Sequence, residues 1–368
     1  MDWFEIENID EIDSPSLVLY EDRLDYNIQK MLDMVKGNTD QLMPHVKTSK
    51  MPAVIRRMVS RGITSFKAST IAEAEITARV GVRNVLIAHQ LVGPKITRFL
   101  ALIDRFPKTK FATLLDNMES AEHLNHLANK RNRVIDFYID INSGMNRSGI
   151  SLGFELDEFL TKIPEYKSLA FRGLHVYDGH IRQPDFNLRK SKVEEEFDAV
   201  YTLASRLKAE YSNLKLICGG TPTFTSHLSE NERICSPGTC VLWDWGYGDK
   251  LKEQVFEYAC IVVTRVISKP TQGIVTIDLG HKSVASENPI QNRVKFLNIS
   301  DYELLSQSEE HGILRVKHWD NFKVGDVLYG VPYHICPTIN LHDEVSVIRN
   351  QRKMDTWEIS ARKRQIEI

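Results

Sequence analysis

Between residues 23 and 245, short aliphatic and β-branched runs alternate with longer stretches whose apolar residues recur at helical spacing. In "GPKITRFLALIDRF", Gly93-Pro94 opens a segment that puts Ile96, Phe99, Leu100 and Ile103 at i, i+3, i+4 and i+7, one face of a helix. "KVEEEFDAVYTLASRLKAEY" aligns Val193, Phe197, Val200, Ala204 and Leu207 in the same way. "STIAEAEITARVG" offers Ser69 or Thr70 as a helix cap and Gly81 as a stop. The alternation predicts repeated βα units.

The runs between these helices are "LMPHV", "SFKAS", "NVLIAHQ", "KFATLLD", "DFYIDIN", "FRGLHVY", "LKLICGG" and "RICSPGT". Eight strands with interleaved helices match a (β/α)8 TIM barrel, whose chemistry collects at the C-terminal ends of its strands. A doubly wound open sheet is the competing topology. After about residue 250 the texture changes: "YACIVVTRVIS", "GIVTIDLG", "RVKFLNI", "GILRVK", "DVLYGVPYHIC" and "EVSVIR" are strand-like and helical spacing stops. The expected organisation is a barrel over residues 23–248 and a C-terminal all-β domain over 249–368. Residues 1–22, with the strand-like "SPSLVLY", are expected to join the β domain.

Composition narrows the partners. A formal charge of −2 on 368 residues leaves no electrostatic footprint for nucleic acid, and no basic cluster suggests an anionic membrane surface. No apolar run approaches the length of a membrane span, and the start "MDWFEIENIDEID" is acidic where a signal peptide is basic and then apolar. The expectation is a cytoplasmic protein with a small-molecule partner. Five scattered cysteines without a C-x-x-C pair argue against a disulfide framework or a structural zinc knuckle.

The strand ends carry pointed chemistry. Strand one ends in Lys47, strand five runs into "DINSGMNRSG" with Arg147, and strand six ends in "HVYDGH" with Tyr177 and His180. The seventh and eighth strands run into Gly- and Thr-rich turns, Gly219-Gly220-Thr221 and Gly238-Thr239, in the loops where barrels commonly hold a phosphate. Most lysines are solvated surface charges. A lysine on strand one facing a phosphate seat instead suggests pyridoxal phosphate, which needs an amine to hold it covalently and an anion site for its tail. In "VPYHICPTIN", His334 and Cys336 are two apart. On an extended strand they share a face, and an imidazole with a thiolate suits a divalent ion, zinc above all.

The motifs "PHVKTSK", "DINSGMNRSG", "LHVYDGH", "CGGTPTF", "SPGT", "DLGHKSVASENP", "SEEHG" and "PYHICP", in that order, make the chain resemble the fold-type III pyridoxal-phosphate enzymes. Within them it resembles the group containing D-threonine aldolase and eukaryotic-type D-serine dehydratase, nearly end to end. The resemblance implies that Lys47 holds the cofactor, with Lys50 a neighbour. It implies that Arg147 contacts the phenolic oxygen and that Tyr177 lines the pocket. Gly219, Gly220, Thr221, Gly238 and Thr239 correspond to the phosphate turns. His334 and Cys336 correspond to a divalent-metal pair, for zinc or manganese, beside the substrate's hydroxyl. His180 falls near the aldolase's catalytic histidine, in a loop, "YDGHIRQPD", that departs from the family's pattern. A homodimer is also implied.

Two reactions on a D-3-hydroxy amino acid remain open. An aldolase splits D-threonine into glycine and acetaldehyde, with His180 or a metal-bound hydroxide as base; a dehydratase turns D-serine into pyruvate and ammonia, with Lys47 as base. The aldolase-like reading comes first. Cys336 leans toward the zinc dehydratases and His180 toward the aldolases. An amino-acid racemase shares the architecture but has no use for an H-x-C pair. A non-catalytic pyridoxal-phosphate carrier lacks the β domain that follows the barrel here.

Overall fold

The computed structural model describes residues 2–228 and 232–368 and divides into two compact units. One comprises the N-terminal residues through Met31, Thr48–Ala53 and Thr239–Arg362; the other comprises Leu32–Lys47, Val54–Gly238 and Lys363–Ile368. No helix among the described residues is long and apolar enough to cross a membrane.

Strand β1 (Ser16–Tyr20) belongs to the first unit. The second unit is built on β2 (Ser65–Ala68), β3 (Asn84–Gln90), β4 (Lys110–Leu115), β5 (Ile135–Ile141), β6 (Leu169–Val176), β7 (Lys215–Cys218) and β8 (Arg233–Cys235), all parallel and in chain order. The expected first strand is not a regular ladder. Leu42 bridges to Cys235 and His45 to Lys67, so the segment closes the curled sheet between β8 and β2 with isolated pairs. Pro44 explains the irregularity: it has no N–H to donate, and its carbonyl accepts from the Lys67 N–H at 3.0 Å. The barrel is therefore seven strands and a bridging segment. Met43, Leu86, Leu114, Tyr138 and Ile217 fill its interior.

The helices follow the predicted faces. Thr70 caps the helix Ile71–Arg79, its side chain accepting from the Glu73 N–H, and Asp185 caps Phe186–Lys208 by accepting from Leu188. Val193, Phe197, Val200, Ala204 and Leu207 are all buried, as the spacing predicts. In the helix Pro94–Arg105, Ile96, Phe99 and Leu100 are buried, but Leu102 fills the last place where the pattern puts Ile103.

The first unit is one sheet with β1 at its centre. Around it lie β9 (Cys260–Thr271), β10 (Ile274–Ile277), β11 (Val294–Phe296), β12 (Tyr302–Gln307), β13 (Gly312–Val316), β14 (Val327–Pro332), β15 (Glu344–Arg349) and β16 (Arg352–Glu358). The path runs β12-β13-β10-β9-β1-β15-β16, with β14 pairing β9 and β11; only β1 and β15 are parallel. Phe4, Ile6, Ile12, Val18, Tyr20, Ile261, Val263, Tyr329, Val331 and Ile348 form its core. β12 and β16 escape the hydrophobic pattern: β16 buries none of its seven residues, so it shows no apolar alternation.

Candidate active site

In the barrel unit, Lys47, Lys67, His45, Arg147, His175 and Tyr177 line a cavity of about 440 Å³ at the strand ends. That volume lies in the range of small-molecule and cofactor sites. Three basic side chains stand around one aromatic ring: the Nζ atoms of Lys47 and Lys67 are 5.9 and 5.7 Å from the Tyr177 ring centroid, and the Arg147 Cζ is 4.8 Å from it. Tyr177 is positioned by glycines, since a Cβ at Gly220 would press to 3.0 Å from the ring and one at Gly179 would overlap it.

Asp140, at the end of β5, is the buried carboxylate of this region. It accepts from His175 Nδ1 at 2.7 Å, Gln90 Nε2 at 2.8 Å and Ser148 Oγ at 3.1 Å. Burial pushes its pKa up, and these donors more than offset that, so the carboxyl titrates below its ordinary value. With Nδ1 committed to Asp140, the His175 Nε2 is buried and has no hydrogen-bond partner. Burial and the Lys67 ammonium lower the His175 pKa, favouring the neutral ring. Lys67, 3% exposed, is lowered to about 7 by burial and by the charge of Lys47. A cationic lining and a buried polar atom awaiting a partner suit an anionic ligand with polar edges, and pyridoxal phosphate is one.

The seventh-strand turn is braced from below. Gly219 has φ +68°, and a Cβ there would lie 2.8 Å from the His227 ring. Asp178, fully buried, accepts from Thr223 Oγ1 and pairs with His227 Nε2, each at 2.7 Å. The Gly238 N–H donates to Thr221 Oγ1 at 3.1 Å, joining the two turns. His180 follows β6 but is not among the residues lining the Lys47 cavity; its Nε2 bonds Glu196 Oε2 at 2.6 Å, and its Nδ1 is buried without a partner. Lys50 belongs to the other unit, where its Nζ donates to the Ala361 carbonyl at 3.4 Å.

In the β unit, the geometry of the H-x-C pair differs from the expected extended strand. β14 stops at Pro332; His334, with extended backbone angles, is the N-cap of the short helix Ile335–Ile339, and Cys336 is in its first turn. The side chains still lie near each other, since the Cys336 thiol helps to raise the His334 pKa. His334 Nδ1 bonds Glu287 Oε1 at 2.6 Å, and Cys336 Sγ lies 3.1 Å from Thr48 Oγ1 and 3.5 Å from Thr239 Oγ1. Thus the structure puts Thr239 beside the thiol. Asp244 fixes the turn by accepting from the Ile335 and Tyr247 N–H groups, while burial raises its carboxyl to about 6. Burial opposes charge on His334, but Cys336 and Glu287 outweigh it and raise the ring to about 9.

No group of three or more His, Cys, Asp or Glu side chains arranged for a metal occurs among the described residues. The pair offers imidazole nitrogen and sulfur, and Glu287 on Nδ1 leaves Nε2 to face an ion, the usual outer partner of a metal-binding histidine. The donor chemistry fits a divalent ion with open positions. Glu287, Asp140, His175, Lys67, Asp178 and His227 were not marked by spacing. Glu287 lies inside the "DLGHKSVASENP" motif, and Asp178 inside "LHVYDGH", but their partners are remote in sequence.

The family model for the alanine racemase N-terminal domain matches residues 20–243. The chain belongs to the alanine racemase N-terminal domain family. A serine dehydratase domain model matches residues 259–348. Two curated relatives are similar along their length. The 3-hydroxy-D-aspartate aldolase of Paracoccus denitrificans (strain Pd 1222) is 28% identical, over 96% of this chain and 92% of that protein. The D-threonine aldolase of an Arthrobacter species is 26% identical, over 95% and 93%. Among solved structures, D-threonine aldolase from Filomicrobium marinum superposes with a TM-score of 0.86 and 25% identity, covering 96% of both chains. The D-threo-3-hydroxyaspartate dehydratase from Delftia sp. HT23 has the same fold, with a TM-score of 0.81 at 21% identity over 94% of this chain and 97% of that one.

Proposed function

We propose that this protein is a pyridoxal-phosphate- and divalent-metal-dependent lyase of D-3-hydroxy amino acids, acting as a D-threonine aldolase-type enzyme that yields glycine and acetaldehyde. The observation that carries the reading is the ring of Lys47, Lys67 and Arg147 around Tyr177 in one cavity at the strand ends. Relatives of nearly the same length that are named as aldolases of such substrates support it. When bound, pyridoxal phosphate supplies an electron-withdrawing ring that stabilises charge at the substrate's α-carbon.

In this reading Lys47 would anchor the cofactor, Arg147 would hold its phenolic oxygen, Tyr177 would line its pocket, and Gly219, Gly220, Thr221, Gly238 and Thr239 would form the phosphate turns. His334 and Cys336 would hold the divalent ion, zinc or manganese, which would supply a Lewis acid for the β-hydroxyl. His180 takes the hydroxyl proton as the carbon–carbon bond opens, and Glu196 on its Nε2 stabilises the charge the ring gains. The family resemblance extends the reading to a cytoplasmic homodimer, which sedimentation of the purified protein tests.

A second reading, a D-serine dehydratase-type enzyme, is favoured by the sulfur of Cys336: a soft ligand selects zinc, which suits departure of the hydroxyl, with Lys47 taking the α-proton. Incubating the cofactor- and metal-loaded protein with D-threonine and D-serine separates the two. Glycine with acetaldehyde supports the aldolase. Pyruvate or 2-oxobutanoate without glycine sinks it in favour of the dehydratase. Interconversion of enantiomers that persists in EDTA overturns both.

A further inference from the structure

Lys67 is used by none of the roles assigned above, and its setting is unusual for a lysine. It lies on β2 in register with Leu86, one of the residues that fill the barrel interior, and is 3% exposed. Lysines are almost never that buried unless paired. Among the described residues Lys67 Nζ makes no hydrogen bond or ion pair; the Tyr177 ring centroid lies 5.7 Å from it. The nearby carboxylate, Asp140, already accepts from His175, Gln90 and Ser148.

The charged and titratable groups around the amine are Lys47, Asp140, His175, Arg147, Asp178 and Cys218, with His45, His89 and Tyr177 also lining the cavity. Burial and the neighbouring Lys47 ammonium lower its proton affinity, so a large share of the amine is neutral near pH 7. A neutral amine in a desolvated pocket is a nucleophile toward carbonyl carbon. The Nζ atoms of Lys67 and Lys47 stand almost equally far, 5.7 and 5.9 Å, from the ring centroid of Tyr177. An aldehyde held against that ring is within reach of either.

We propose that Lys67 is a second carbonyl-reactive lysine of this cavity, a modification site that takes aldehydes, including that of pyridoxal phosphate when Lys47 is absent. The Lys67 nitrogen attacks the aldehyde carbon, a C=N bond forms, and the carbonyl oxygen leaves as water, with no change of oxidation state. The proposal rests on the reading of Lys47 as the cofactor's ordinary anchor.

The test locates the cofactor by mass. Unsubstituted protein, Lys47→Ala and Lys47→Ala/Lys67→Met are each incubated with pyridoxal phosphate, reduced with borohydride, digested and mapped by mass spectrometry. The expected result is the reduced adduct on Lys47 in the unsubstituted protein, on Lys67 in Lys47→Ala, and on neither position in the double variant. A folded Lys47→Ala protein with no adduct on Lys67 overturns the proposal. An adduct found on Lys67 in the unsubstituted protein overturns instead the assignment of Lys47 as the anchor and leaves the reactivity of Lys67 standing. If the variants fail to fold, the unsubstituted apo-protein is labelled with acetic anhydride at pH 8. Lys67 acylated at least tenfold faster than the buried Lys50 supports the proposal, and equal or slower labelling overturns it.

Discussion

The barrel cavity and the His334–Cys336 turn hold their polar groups by different means. In the cavity, Lys67, His175 and Asp140 are 3%, 3% and 4% exposed and stand on strands locked in register with their neighbours. At the turn, the His334 and Glu287 side chains are 42% and 47% exposed, and a five-residue helix supports the pair. The difference separates polar groups held by burial from polar groups held by a few hydrogen bonds. In the barrel, position is dictated by the ladder, and desolvation shifts the proton affinity of Lys67 and His175. At the turn, position depends on Asp244 below and Glu287 beside, so single polar substitutions should act locally.

The sharpest way to break the comparison is at Lys47. Lys47→Ala should lower turnover of D-threonine by on the order of 10³-fold, since it removes the cofactor's proposed covalent anchor. The cofactor should then be found on Lys67, and steady-state assay with mass mapping checks both. Lys50→Ala should leave the attachment unchanged, because Lys50 donates to the Ala361 carbonyl in the other unit. A loss of turnover equal to that of Lys47→Ala would mean that Lys47 alone is not the anchor.

At the turn, His334→Ala or Cys336→Ala should retain cofactor yet lose metal-dependent turnover by on the order of 10²-fold, as expected for removing a Lewis acid worth several kcal/mol. Cofactor absorbance and a zinc titration of turnover separate the two effects. Wild-type activity in both variants removes the metal from the reading. Glu287→Gln should act more gently, weakening metal affinity about 10–100-fold while leaving turnover at saturating metal near normal, because Glu287 orients His334 without being a ligand itself. Unchanged affinity would make Glu287 a bystander.

The same contrast explains what sequence alone could reach. Alternation of helical and extended runs gave the barrel's order, because each βα unit must bury one apolar face and shows that face in its spacing. That Lys47, Arg147 and Tyr177 line one cavity was legible because a barrel's strand ends face one mouth. Lys67 was not: a lone lysine in "SFKAS" looks like a charge closing a strand, and nothing local says that its tip is buried. His175 and Asp140 are 35 residues apart and His227 and Asp178 are 49 apart, so only closure of the sheet makes them pairs. The H-x-C pair was found by its spacing, but Asp244, remote in sequence, decides that it sits on a helix N-cap.

The smallest expected effect is on stability, and it probes desolvation directly. Lys67 carries a folded-state pKa of about 7, lowered from 10.5 chiefly by burial, whereas in the unfolded chain the amine keeps its ordinary value. Below pH 7 both states are protonated and the folded one bears the full penalty of a buried charge. Between pH 7 and about 10 the unfolded chain binds more protons, so stability rises with pH as the penalty is relieved. Lys67→Met, similar in length and without charge, should therefore raise Tm most at pH 6, by roughly 2–4 °C for each kcal/mol relieved. The gain should shrink toward zero by pH 10. Thermal unfolding of the apo-protein across that range checks it. A gain that is constant with pH would mean that Met simply packs better, and that Lys67 is no more desolvated than the exposed side chains of the His334–Cys336 turn.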